Sequence, residues 1–309
     1  MATPLVSVVI PAYNHERFIG AAIESVLNQS VEDLELVIVD DGSTDGTAEV
    51  INSYDDPRLS YTYQENQDAF NTINRGLGLA RGDYISILNS DDIYTLDRLE
   101  RLLAHGFEYQ SDCIISDVIP ISDDGIEFKD PEFGWNQWHQ RNRRFYFEQA
   151  DLYTGFLQGN LMVTTSNLFM TRRAMETVGQ FSSLRYLHDY DYIFRMMLAY
   201  PDSVHYLDQD KLLYYRIHEG NTLSEAAVAG REQDLEVIRK YMLAKLPEEY
   251  RGIVAAGSDR LRALENELHQ VKLDLKQQGN RSTARVAQGS LVARSKRVIK
   301  AAIREFRGK

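Results

Sequence analysis

Over most of its length this sequence predicts an α/β fold, a mainly parallel sheet flanked by helices, and three observations carry that reading. Short apolar runs rich in β-branched residues alternate with segments of helical period through the first hundred residues. Polar clusters close those runs, at 11–14, 40–45 and 89–92. The 309 residues are 43% apolar and 26% charged, enough to bury a sizeable core and far from a disordered acidic tract.

The elements follow in order. Leu5 to Ile10 is an apolar run of the kind buried on both faces of a sheet, and Pro11 closes it. Asn14 is a good N-cap for a helix on which Phe18, Ile19, Ala22, Ile23, Val26 and Leu27 recur at helical spacing. Leu34 to Val39 is a second buried strand, ended by Asp40-Asp41-Gly42-Ser43, with a helix through Ala48–Ile51 behind it. Leu59 to Tyr63 alternates as a weaker strand, Asn74 to Ala80 suits a helix, and Tyr84 to Leu88 is a further buried strand ending at Asn89-Ser90-Asp91-Asp92. Such alternation implies right-handed crossovers and a mainly parallel sheet. Ligands then bind beyond the carboxyl ends of the strands, where all three polar clusters fall. Further strands are expected at 113–119, 162–170 and 204–217, whereas 129–158, with Trp135 and Trp138, shows no clean period. Those tryptophans are expected in core or lid packing, with sugar stacking as the alternative.

The C-terminal end has a different texture. Of 32 aromatic residues only Phe306 lies beyond 250. Leu261, Leu264, Leu268, Val271 and Leu275 space 3,4,3,4, a coiled-coil seam of about two heptads that predicts a homo-oligomer, with packing onto the body as the alternative. Residues 251–309 carry 14 Lys/Arg against 5 Asp/Glu, which leaves −21 of the net −12 on residues 1–250. An acidic body argues against a nucleic-acid binder. On a helix, 291–307 place Leu291, Val292, Val298, Ile299, Ala302, Ile303 and Phe306 in one arc, with Lys296, Arg297, Lys300, Arg304 and Arg307 opposite. That pattern predicts peripheral contact of 290–309 with an anionic membrane, a docked partner helix being the alternative. One cysteine, Cys113, excludes an intrachain disulfide and a Cys-rich zinc site, and no apolar run is long enough to span a bilayer. The expectation is a cytoplasmic chain, at most peripheral on the inner face of the membrane. The domain boundaries expected are 1–222 for the α/β body, 223–280 for a helical extension and 281–309 for the basic tail.

Asp91 and Asp92 are the residues richest in chemical implication. Adjacent carboxylates repel and need a cation or strong donors to stay ionised together. Mg²⁺ or Mn²⁺ bridging to phosphate oxygens meets that need with one or two protein carboxylates. A solvated turn is the alternative, as turn chemistry is for Asp40-Asp41-Gly42-Ser43. Asp41 can accept from a nucleotide base or ribose, and Tyr13 can stack on the base.

Taken in order, VSVVIPAYN (Val6–Asn14), LELVIVDDGSTDGT (Leu34–Thr47), NRGLGLARGDYISILNSDD (Asn74–Asp92), GQF (Gly179–Phe181), HDYDYIFRM (His188–Met196) and YRIHEGN (Tyr215–Asn221) resemble glycosyltransferase family 2. The resemblance spans residues 5 to about 222 and implies the GT-A fold, inverting chemistry and a Mn²⁺ or Mg²⁺ cofactor. It implies a UDP-sugar donor and a glycan or lipid-linked acceptor, in cell-surface polysaccharide synthesis. Residue by residue it gives Pro11, Tyr13 and Asp41 to the base, Asn66 and Arg75 to the nucleotide or pyrophosphate, and Asp91 to the ribose and metal-bound water. It gives Asp92 to the metal, with His218 at the metal or pyrophosphate and Arg216 near it. It also makes Asp189 the catalytic base, with Asp191 as the competitor. Two departures stand out: Asn89 occupies a position where many members have Asp, and His188 replaces the usual Glu. A sugar-nucleotidyltransferase is the rival enzyme, but PAYNHERF lacks the Gly-rich, basic loop that activity needs. A non-catalytic nucleotide-sugar-binding scaffold is the rival outside enzymes.

Overall fold

The computed structural model describes residues 3–184, 187–218 and 237–257, with 259, 260, 263 and 267 beyond. Residues 1–242 form one compact unit and 243–309 a second, in which 248–257 are helical. The seam at 261–275 and the tail at 290–309 lie outside the described residues, Ala263 and Glu267 excepted.

In the first unit an eight-stranded sheet organises everything else. Its strands are β1 (Val6–Ala12), β2 (Leu34–Asp40), β3 (Leu59–Tyr63), β4 (Tyr84–Ile87), β5 (Ile93–Tyr94), β6 (Cys113–Ile121), β7 (Phe169–Thr171) and β8 (Val204–Arg216), in the order β3-β2-β1-β4-β7-β6-β8-β5. Strands β3, β2, β1 and β4 are parallel, with Val6 opposite both Leu34 and Tyr84. β7 runs antiparallel to β4 and β6, β8 runs parallel to β6, and β5 closes the sheet antiparallel to β8. The sheet is therefore mixed, with its parallel half where the alternation of strand and helix is cleanest in sequence.

Helices α1 (Ile19–Leu27), α2 (Thr47–Asn52), α3 (Ala69–Leu79), α4 (Arg98–Tyr109), α5 (Gly134–Gln149), α6 (Leu152–Gln158), α7 (Arg172–Val178) and α8 (His188–Ala199) flank it. Burial on both faces explains the uninterrupted apolar runs of β1 and β2. Val8, Ile10, Leu36 and Ile38 pack with Ile19, Ile23 and Val26 of α1, while Val9, Val37 and Val39 pack with Ile73 and Leu77 of α3. The approach of α3 to β1 is so close that a Cβ on Gly76 would lie 2.3 Å from Val9 Cγ1, so only glycine fits there.

Two sequence expectations need correction. The strand foreseen at 162–170 is only Phe169–Thr171, preceded by a 3₁₀ turn at Thr165–Asn167. Thr164, Ser166 and Asn167 are buried there, and they spend their side chains on internal hydrogen bonds rather than on a ladder. The patternless stretch 129–158 holds α5 and α6. Its period is hidden because the buried face of α5 is polar: His139 Nε2 donates to the buried Asp117 carboxylate at 2.6 Å, and Arg143 joins the same carboxylate at 2.5 Å. Trp135 stacks on His139 and Tyr215, which places it in packing. Past β8, Val237 and Tyr241 enter the core of the first unit, which thus reaches beyond residue 222.

Candidate active site

Parallel strands end their hydrogen-bonded ladders at one edge of the sheet, and the chain turns there with polar side chains. β1 delivers Pro11, Tyr13 and His15; β2 delivers Asp41; β4 delivers Asn89 to Asp92; β8 delivers Arg216 and His218.

The two neighbouring acids at the end of β2 have separate duties. Asp40 is fully buried; its carboxylate accepts from Ser43 N at 2.9 Å and from Tyr61 Oη at 3.0 Å, which closes the turn. Burial and that carboxylate push the Tyr61 phenol up to about 12. Asp41 accepts from Gln64 Nε2 at 2.6 Å and from the Gln67 amide at 2.9 Å, both on one oxygen, Oδ1. Gln64 also accepts from Arg75 Nη1 at 2.9 Å, so Asp41 and Arg75 are joined through one side chain. Gly42, at φ +81°, brings the turn against Asn66: a Cβ there would lie 2.9 Å from the Asn66 amide nitrogen. Tyr13 stands 47% exposed on the same rim. Asp41, Asn66 and Arg75 thus lie around one turn.

The acids at the end of β4 also divide. Asp92 is 1% exposed, and its carboxylate is filled from inside: Oδ2 accepts from Ser166 Oγ at 2.5 Å and Thr164 Oγ1 at 3.2 Å, and Oδ1 from the Arg216 amide at 2.9 Å. Burial, reinforced by the neighbouring Asp91 charge, pushes its carboxyl up to about 8. A group so enclosed braces the turn. Asp91 is the one that looks outward. Its Oδ2 lies 3.0 Å from His218 Nε2, and its ligand atom, those of His218 and of His15 all fall within 4.8 Å of one another. Among the described residues this is the one group of three such side chains close enough for a single cation. Burial opposes ionisation of Asp91, but the His218 hydrogen bond and the charges of the two imidazoles outweigh it and hold its carboxyl below the usual range. Burial lowers His15, with the Asp91 charge opposing. One carboxylate and two imidazoles are a donor set that fits a divalent ion.

Arg216 lies beside the same turn. Its guanidinium donates to the carbonyls of Asp91, Ser122 and Asp123 and lies over the Phe18 ring. It ties the end of β8 to the Asp91 turn.

The N-terminus of α8 supplies the last element. Asp189 is 8% exposed; Oδ2 accepts from Asn160 Nδ2 at 2.9 Å and Oδ1 from the Tyr190 amide at 2.7 Å. Burial raises its carboxyl, with the His188 charge and these hydrogen bonds opposing. Asp191, the competitor, is spent elsewhere. It accepts from Ser182, Arg195, Lys240 and Tyr241 at 2.5–2.8 Å. Those partners outweigh burial and hold it down at about 2. Nothing in that environment suits proton abstraction.

Across the chain, residues 7–175 match the family described as Glycosyl transferase family 2. The chain belongs to that family. An uncharacterised glycosyltransferase of Rickettsia prowazekii is 30% identical over 253 residues, covering 80% of this chain and 74% of the relative. Among solved structures, S. aureus TarS 1–349 in complex with UDP-GlcNAc superposes with a TM-score of 0.58 at 21% identity, over 82% of this chain and 71% of that one. The mannosyltransferase PcManGT from Pyrobaculum calidifontis, in complex with GDP-Man and Mn²⁺, gives 0.58 at 16% identity over 99% and 88%. At these identities the two structures speak to the fold, which is GT-A. Family 2 membership makes this chain a glycosyltransferase and sets aside the nucleotidyltransferase.

Sequence reading missed four residues that contact these candidate side chains: His15, Gln64, Asn160 and Ser166. His15 had a signal, a titratable side chain directly after the polar cluster closing β1. The others are neutral side chains whose role depends on contacts far apart in sequence, and no local pattern marks them.

Proposed function

We propose that this glycosyltransferase is metal-dependent and inverting, and moves a sugar from a UDP-type donor to a hydroxyl of a glycan or lipid-linked acceptor. One observation carries the reading above all: Asp189, buried and with its carboxyl raised, stands at the start of α8, while Asp91, with its carboxyl lowered, faces two histidines. Two carboxylates driven in opposite directions suit two duties, proton acceptor and permanent anion.

Asp41 and the Gln64 bridge to Arg75 are suited to recognise the base and steady the nucleotide, with Tyr13 available to stack. Asp91 and His218 would hold a divalent cation, which supplies positive charge to offset that growing on the diphosphate. Asp189 accepts the proton of the acceptor hydroxyl as its oxygen attacks the anomeric carbon. The new C–O bond forms as the bond to the diphosphate breaks, and that electron pair leaves with UDP. A carboxyl raised by burial is the stronger base near neutral pH.

The test is a thermal-shift panel of UDP, UDP-sugars and GDP-Man, each with and without Mn²⁺, on the full chain. A ligand bound by the native state alone raises the melting temperature. Stabilisation by uridine nucleotides that grows with Mn²⁺ supports the reading. A preference for GDP-Man overturns the donor, and indifference to Mn²⁺ and chelator overturns the cation.

A further inference from the structure

His15 takes no part in that reading, yet it belongs to the same cluster. It reaches Asp91 and His218 from a third element, the turn after β1. Its ring is held on several sides: Nδ1 lies 2.7 Å from Ser90 Oγ, and the ring meets Phe18 and His218 edge-on at 5.7 and 5.8 Å. A hydroxyl on one ring nitrogen orients the imidazole and leaves the other nitrogen to bind, the usual support for a metal-bound histidine. Ser90 directly precedes Asp91, so one turn positions both residues. The oxygen donors nearby are few. Asp92 is enclosed, and Asn89 offers no charge and donates through Nδ2 to Thr164 Oγ1 at 3.0 Å.

We propose that His15 is a third protein ligand of the donor-site cation, and that the resulting set of two imidazoles and one carboxylate makes the site select Mn²⁺ over Mg²⁺. The inference rests on the reading that Asp91 and His218 hold that ion. Mg²⁺ demands oxygen ligands in near-ideal octahedral geometry, whereas imidazole suits the transition metals and adds to their affinity. A neutral Asn89 next to this turn and an added histidine move the site in that direction on both counts.

The experiment is an electron paramagnetic resonance titration of MnCl₂ into the full chain at saturating UDP, with MgCl₂ as competitor. It uses wild type, His15→Ala and His15→Asp, and thermal unfolding without metal verifies that each variant folds. Wild type should bind Mn²⁺ about tenfold or more tighter than Mg²⁺. His15→Ala should lose about tenfold or more of the Mn²⁺ affinity, on the scale of a ligand-shell change. His15→Asp should recover binding with a narrower gap between the metals. Equal Mn²⁺ affinity in folded His15→Ala and wild type overturns the assignment of His15 and leaves the cation reading standing. Equal affinity of wild type for the two metals overturns the selectivity. If wild type binds neither ion, the cation reading falls and this inference with it.

Discussion

Asn160 donates through Nδ2 to Asp189 Oδ2 at 2.9 Å, and the loop that begins there ends on Asp92, through Thr164 and Ser166. A single short stretch of chain therefore braces both carboxylate-bearing elements of the site. Within it Val163 sits at φ +70°, a left-handed conformation that β-branched residues rarely adopt. Such strain persists only where surroundings over-determine it. Here the hydrogen bonds at Asn160, Thr164 and Ser166 do so.

Asp189→Asn is expected to lower kcat by about two or more orders of magnitude, the scale of a lost general base, while UDP-induced stabilisation stays close to wild type. Steady-state kinetics beside thermal shift separates the two effects. Selective kcat loss in Asp191→Asn with a mild Asp189→Asn would assign the base to the other carboxylate.

Asn160→Ala should move the acid limb of the pH–rate profile upward. The amide donates to the ionised form of Asp189 and so lowers its carboxyl against the upward push of burial. Without it, a higher pH is needed to ionise the base, and activity falls off earlier on acidification. A profile that only drops in height, with its limb unmoved, would make Asn160 purely structural.

The parallel half of the fold was legible because buried parallel strands announce themselves as apolar runs, and their carboxyl ends as polar clusters. Asp41 and the Asp91-Asp92 pair could be located on that basis. Choosing between Asp91 and Asp92 could not be done from sequence, because adjacent residues on a turn point apart and only Ser166, Thr164 and the Arg216 amide decide which is enclosed. The same holds for Asp189 and Asp191: Lys240 and Tyr241, which occupy Asp191, lie about fifty residues away in sequence. The polar inner face of α5 defeated the periodicity argument, which assumes that buried means apolar.

Asp191 should matter for stability rather than for turnover. Its folded carboxyl is held at about 2, below the ordinary value near 3.9, so it contributes stability that is present above about pH 4 and is lost as pH falls through about 2. Asp191→Asn, which leaves Arg195 and Lys240 without their shared anion, should cost about 3 kcal/mol at neutral pH. The gap between variant and wild type in urea midpoints should close steadily from pH 4 downward. A gap independent of pH would mean that the charge contributes nothing and that only packing was lost.

Gly42 gives a test of the nucleotide side that leaves every polar group in place. At φ +81° an alanine is strained whatever the space, and its Cβ would press on the Asn66 backbone nitrogen at 2.9 Å. The turn must then shift, and Asn66 with it, next to the Gln67 amide that donates to Asp41. Gly42→Ala should cost about 1 kcal/mol or more of stability. It should also weaken UDP binding, while Asp41→Asn, which keeps the backbone, weakens UDP binding at little cost to the fold. Isothermal titration with UDP against urea midpoints for the two variants separates shape from charge. Wild-type UDP affinity in both would remove the Asp41 turn from the nucleotide site.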